Sequence, residues 1–222
     1  MQTDTPRQAL IFDFDGLIVD TESIGVKVFE NAFSKVGLSF DLDGFVKLVG
    51  LATGGDYDPW TIYANHTGKY SPEEVRQRYS MKVDEAVRKA KPLEGVVELI
   101  NDAKSKGLLL AVGSSSPKSW VLPKLEHFGI LDKFDTIVTC DDVAAGKPSP
   151  DIFLKVLERL QVEPQNALVL EDSTNGTIAA NRAGIRVVVV PNAITSREDH
   201  HRADFILPSL KQLQLADYFQ LN

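Results

Sequence analysis

Two aspartates one residue apart, Asp13 and Asp15, follow an apolar run in the stretch ALIFDFDG, residues 9–16. In an extended chain, positions i and i+2 project to the same side, so the two carboxylates are set to crowd each other. Such a pair is costly unless a cation neutralises it or one member holds a proton. A second acidic pair, Glu171 and Asp172, ends another apolar run, and no histidine or cysteine accompanies either pair. An all-carboxylate set suits a hard cation. Mg²⁺ takes oxygen ligands, keeps several waters and binds through one or two carboxylates together with a substrate phosphate. Ser114 offers a hydroxyl and nearby backbone N–H groups suited to a phosphoryl oxygen, and Lys147 offers a point charge. A nucleophile, a metal, donors for the equatorial oxygens and an acid/base are the parts of phosphoryl transfer.

These residues need a frame that brings them together. ALIF, LLLAVG, FDTIVT, NALVLE and IRVVVV read as short buried strands, and the stretches between them carry helical periodicity. Strand alternating with helix predicts an α/β fold with a doubly wound, Rossmann-like parallel sheet and right-handed crossovers. Ligands of such sheets bind beyond the carboxyl ends of the strands. Asp13, Ser114, Glu171 and Asp172 each follow a strand, and Lys147 lies in the loop after another, so they converge on one edge.

Between the first strand and this alternation, residues from about 21 to 89 read as helical only. Ser71, Pro72 and Glu74 form a helix start with a capping box. The expected division is a core of residues 1–16 and 93–222 with an all-α cap, 17–92, inserted after the first strand. Linkers near 16–20 and 90–94 are expected to act as hinges. A short last strand, ADFILP, and a C-terminal helix complete the reading. Ser116-Pro117 resembles a helix cap and first residue, with Pro123 disturbing the turn that follows. Asp141 and Asp142 read as solvated turn acids, and His200 and His201 as exposed loop residues.

The chain has 222 residues, a net charge of −7 and one cysteine, Cys140. The acidic balance and the lack of a dense basic block argue against a nucleic-acid partner. No run of about 18 apolar residues predicts a membrane span. A polar N-terminus and a single cysteine suit a cytoplasmic protein. A monomer acting on a small phosphorylated metabolite is expected.

The motifs DFDG with VDTE, AVGSSS, GKPSPDIF and LEDSTNG, in this order, resemble those of the haloacid dehalogenase superfamily. The position of the helical insertion is similar to that of its β-phosphoglucomutase and phosphoglycolate phosphatase subgroup. The resemblance implies that Asp13 is the nucleophile and that Asp15 protonates the leaving oxygen and later deprotonates water. It implies that Mg²⁺ is held by Asp13, the Asp15 carbonyl, Asp172 and Glu171. Gly16, Ser114, Ser115 and Lys147 would bind the phosphoryl group, with Lys147 also bridging to Asp13. True dehalogenases lack the acid/base that Asp15 would supply, so phosphate chemistry is implied. Thr21, Glu22, Thr53 and Trp60 are the expected substrate contacts from the cap. Where the mutase has a cap histidine, this chain has Gly25, and where the mutase has a phosphate-gripping arginine it has Thr53. Both departures favour a phosphatase, with a phosphosugar mutase and a non-catalytic phospho-ligand-binding protein as alternatives.

Overall fold

Alternate residues along the strands of the sheet face two different layers of helices, which is why their apolar runs are continuous. The computed structural model describes residues 7–49 and 57–219. Its sheet contains β1 (Ala9–Phe12), β2 (Leu109–Gly113), β3 (Thr136–Val138), β4 (Ala167–Glu171), β5 (Arg186–Val189) and β6 (Phe205–Ile206). The strands are parallel and ordered β3-β2-β1-β4-β5-β6. Leu10, Phe12, Leu110, Val112, Leu168 and Leu170 pack on α5 (Val96–Ser105) and α6 (Lys118–His127). The intervening Ala9, Ile11, Ala111, Ala167 and Val169 pack on α7 (Asp151–Leu160) and α8 (Thr174–Arg182). Each fully buried Leu, Ile or Phe contributes roughly 1.5–3 kcal/mol against exposure, so both layers hold β1 at the centre.

The insertion is helical, as the periodicity predicts: α1 (Thr21–Ser34), α2 (Leu42–Val46), α3 (Pro59–Thr67) and α4 (Pro72–Val87). Side chains cap each start. Asp20, Asp41 and Asp58 accept from the N–H groups of Ser23, Gly44 and Thr61, and Ser71 with Glu74 forms the expected capping box. Phe29 anchors an aromatic cluster with Phe33, Phe40, Phe45, Trp60 and Tyr79. The carboxyl-terminal half of α4 belongs to the main core instead, through Val83 and Val87. The two linkers lie side by side: Asp15 and Val19 form an isolated parallel bridge, and the Leu93 N–H donates to the Ile18 carbonyl at 2.8 Å.

Three local expectations are corrected. The C-terminal segment forms two short 3₁₀ turns, Leu210–Gln212 and Leu215–Asp217, and no α-helix among the described residues. Leu210, Leu213, Leu215 and Phe219 are its buried residues. Their uneven spacing does not place them on one helical stripe. Helix α6 has Pro117, not Ser116, at its N-cap, and no side chain of its own caps it. Asp141 does so from across the sheet edge, its Oδ2 accepting from the Lys118 N–H at 2.8 Å. His200 is buried, with Nε2 against the Thr195 carbonyl, whereas His201 is exposed.

Candidate active site

The strand order reverses between β1 and β4, whose sequence neighbours β2 and β5 lie on opposite sides. A crevice opens at such a switch point. β1 ends at Phe12, so Asp13 and Asp15 stand just beyond the strand instead of within it. The Asp13 N–H still continues the ladder, donating to the Leu170 carbonyl at 2.9 Å. That bond brings Asp13 level with the end of β4.

Lys147 joins the two sides. Its Nζ donates to Asp13 Oδ1 at 2.5 Å and to Glu171 Oε1 at 2.6 Å, and Lys147 itself is 2% exposed. Burial alone would push the ammonium down, but the two carboxylates outweigh that and hold it above the usual lysine range. The other oxygen of Glu171, Oε2, accepts from the Asp172 and Ser173 N–H groups and from Ser173 Oγ. Gly176 closes over this carboxylate, and a Cβ there would overlap it. Burial is the main reason that the Asp13 carboxyl is pushed up to about 8, against the opposing pull of Lys147. Asp172 is also pushed up, first by burial and then by Glu171 and Asp13.

Asp13, Glu171 and Asp172 place ligand oxygens within 4.8 Å of one another, all buried. Three carboxylates share one ammonium, so a further cation fits this donor set. The set is all oxygen, which suits Mg²⁺. Asp172 is aimed by Asn192, whose Nδ2 donates to Asp172 Oδ2 at 2.7 Å and to the Gly16 carbonyl at 3.3 Å. The Asn192 Oδ1 is fixed in turn by the Ile194 and Thr195 N–H groups. Gly16 has φ +78°, and a Cβ on it would collide with Asp172 and Asn192. Its N–H donates to the Val19 carbonyl at 2.9 Å.

Asp15 is held separately. Trp120 Nε1 donates to Oδ1 at 2.8 Å, and Ser116 Oγ donates to Oδ2 at 2.6 Å. The Ser116 N–H donates to Ser114 Oγ at 3.0 Å. The serine run therefore ties the acid to the end of β2.

A cavity of about 480 Å³ opens over these groups. Asp13, Asp15, Ser114, Ser115, Lys147 and Asp172 form its core side. Of the expected cap contacts, Thr21, Glu22 and Trp60 line it, whereas Thr53 lies outside the described residues. Thr21 Oγ1 and Trp60 Nε1 are buried without a hydrogen-bond partner among the described residues. Burial first, then the charges of Asp15 and Asp13, pushes the Glu22 carboxyl up to about 8.

Sequence reasoning missed Trp120, Ser116 as a partner of Asp15, Asn192, and the α4 face made by Arg76, Tyr79, Ser80 and Val83. The last had a legible signal, since those four positions share one face of a helix. Asp141 is exposed, as expected, though it also caps α6, whereas Asp142 is not a solvated acid: it binds Lys118, Arg159 and Thr139.

The profile described as haloacid dehalogenase-like hydrolase matches residues 10–190. YhcW of Bacillus subtilis is 38% identical over 214 residues, covering 94% of each chain. Hexitol phosphatase B of Escherichia coli is 31% identical over 218 residues, covering 96% of this chain and 98% of its own. The crystal structure of CbbY from Rhodobacter sphaeroides in complex with phosphate superposes with a TM-score of 0.76 at 29% identity, covering 96% of this chain and 99% of that one. The match runs through every strand that carries a site residue, and with it the chain belongs to the haloacid dehalogenase-like hydrolases, as a phosphoric monoester hydrolase.

Proposed function

We propose that this protein is a Mg²⁺-dependent phosphatase that hydrolyses a small phosphorylated metabolite through a phosphoryl-aspartate on Asp13. The observation that carries the reading is the bridge of buried Lys147 between Asp13 and Glu171 on the core side of a cavity that Asp15 also lines. Asp13 and Asp172, with the Asp15 carbonyl, would hold Mg²⁺, which would supply positive charge against the transferring phosphoryl group. Glu171 has both oxygens engaged, so its part is to orient Lys147.

In the first half-reaction an Asp13 carboxylate oxygen bonds to phosphorus as the bond from phosphorus to the ester oxygen breaks. The leaving oxygen takes its proton from Asp15. In the second half-reaction water attacks phosphorus, Asp15 takes the water proton, and the bond to Asp13 breaks to release inorganic phosphate. The two donors on Asp15 differ in kind. An indole N–H only donates, whereas a serine hydroxyl donates or accepts. Oδ1 therefore stays an acceptor against Trp120, and the transferred proton is carried on Oδ2, beside Ser116. Lys147 and Ser114 counter the charge of the phosphoryl oxygens.

Thr21 Oγ1 and Trp60 Nε1 have no hydrogen-bond partner among the described residues, and the raised Glu22 carboxyl lines the same cavity. They suit the hydroxyls of a sugar or polyol phosphate. The cap residues that the mutase resemblance requires are absent, and the space a side chain at Gly25 would fill is taken by the Tyr79 hydroxyl.

The test is phosphate release from a panel of sugar, polyol and carboxylate phosphates, with Mg²⁺ and with EDTA. Metal-dependent release from a few hydroxylated substrates is expected, with Asp13→Asn inactive and folded. Isomerisation primed by a bisphosphate, without net release, would establish a mutase instead.

A further inference from the structure

Lys124 lies on core helix α6 but is only 3% exposed, an unusual place for an ammonium group unless it is paired. Its Nζ donates to Asp84 Oδ1, on cap helix α4, at 2.7 Å and to the Trp120 carbonyl at 3.1 Å. The same nitrogen stands 3.3 Å from the centroid of the Trp120 ring, within the range of a cation–π contact. Trp120 and Lys124 are four apart on the helix, the spacing that stacks one side chain over another. The indole N–H on the other side of this contact is the one that holds Asp15. Four residues thus make an unbroken chain of contacts from the cap to the acid/base: Asp84, Lys124, Trp120 and Asp15.

We propose that Trp120 is a positioning residue for Asp15, and that the Asp84–Lys124 pair holds its indole in place, so that the seat of helix α4 sets the orientation of the Asp15 carboxyl. The proposal rests on the reading of Asp15 as the acid/base. Among the described residues, no other ion pair of the cap leads to Asp15 through a buried ammonium. Because the indole has a single donor, a shift of the ring takes the hydrogen bond from Oδ1 and leaves the carboxyl held only through Oδ2, by Ser116.

The test uses leaving groups that differ in their need for a proton. Trp120→Phe keeps a ring beneath Lys124 and removes the N–H. On glycerol 2-phosphate, whose leaving alkoxide must be protonated, its first-turnover rate is expected to fall about tenfold or more, a part of the ~10²–10⁴-fold that acid–base catalysis supplies. On p-nitrophenyl phosphate, whose phenolate leaves without a proton, the first-turnover release of p-nitrophenolate should change less than about twofold. Asp84→Asn should show the same selective loss to a smaller degree. The double variant should be no slower than Trp120→Phe alone, as expected for two residues in one chain of contacts.

Equal losses on both substrates, unchanged rates, or additive losses in the double variant would overturn the proposal. If Trp120→Phe fails to fold, the leaving-group selectivity of Asp84→Asn decides the matter in the same way. These outcomes presuppose turnover by the unaltered enzyme. Failure of that enzyme on these two and on every phosphate of the panel would overturn the phosphatase reading itself.

Discussion

Glu171 shows how one residue type can support two different readings. As a carboxylate beside Asp172 it resembles a metal ligand, but one oxygen binds Lys147 and the other binds two backbone N–H groups and a serine hydroxyl. In Glu171→Gln the amide would have to turn either its NH₂ toward those three donors or its NH₂ toward the ammonium, and each choice leaves buried polar groups opposed. Breaking a buried ion pair from one side costs about 3–5 kcal/mol. The variant is therefore expected to lose stability on that scale, read as a lower urea midpoint with an unchanged m-value, and to lose most activity because Lys147 is no longer aimed. Asp13, Asp15 and Asp172 were legible in the sequence because acids closing apolar runs are conspicuous. Trp120 was not: an aromatic residue in an amphipathic helix reads as core, and its N–H meets Asp15 only after 105 residues of chain fold back.

Elements were legible where an apolar run or a cap marks them, as at β1, β4 and the Ser71 start of α4. They were not where the partner comes from elsewhere in the chain. The start of α6 is capped by Asp141 from the far side of β3, so no local pattern could mark it. Beside it, Asp142 ties the end of β3 to α6 and α7 through Thr139, Lys118 and Arg159. Partial desolvation pushes the Asp142 carboxyl up, but the Lys118, Thr139 and Arg159 hydrogen bonds outweigh it and hold the group well below the usual carboxylate range. A carboxyl depressed on folding stabilises the protein above its unfolded value, near 3.9, and that contribution fades as pH falls through the folded value. Asp142→Asn is accordingly expected to lose about 1–3 kcal/mol near neutrality. Its denaturation midpoint should also fall less steeply than that of the unaltered protein between about pH 5 and pH 2. Parallel curves for the two proteins across that range would refute the assignment.

At the scale of the molecule, the core and the cap are held by different chemistry. The sheet is covered on both faces mainly by aliphatic side chains, whereas the cap is centred on one aromatic cluster with Phe29 in the middle. Three members of that cluster, Phe45, Trp60 and Tyr79, also line the cavity, so the packing of the cap and the shape of the cavity are the same property. Helix α4 is the element shared between them, with Tyr79 in the cluster and Val83 and Val87 in the main core. Phe29→Ala removes ring contacts to five neighbours, at a cost of about 3–5 kcal/mol for a buried phenylalanine. Because the sheet does not depend on this ring, the loss should concentrate in α1 to α3. Hydrogen exchange is expected to speed up in those helices while β1, β2 and β4 keep their protection. The cavity wall would loosen with them, so kcat/KM for a sugar phosphate should fall far more than that for p-nitrophenyl phosphate, which needs little from the cap. Uniform loss of protection through the sheet would show instead that cap and core unfold as one unit, with α4 transmitting the damage.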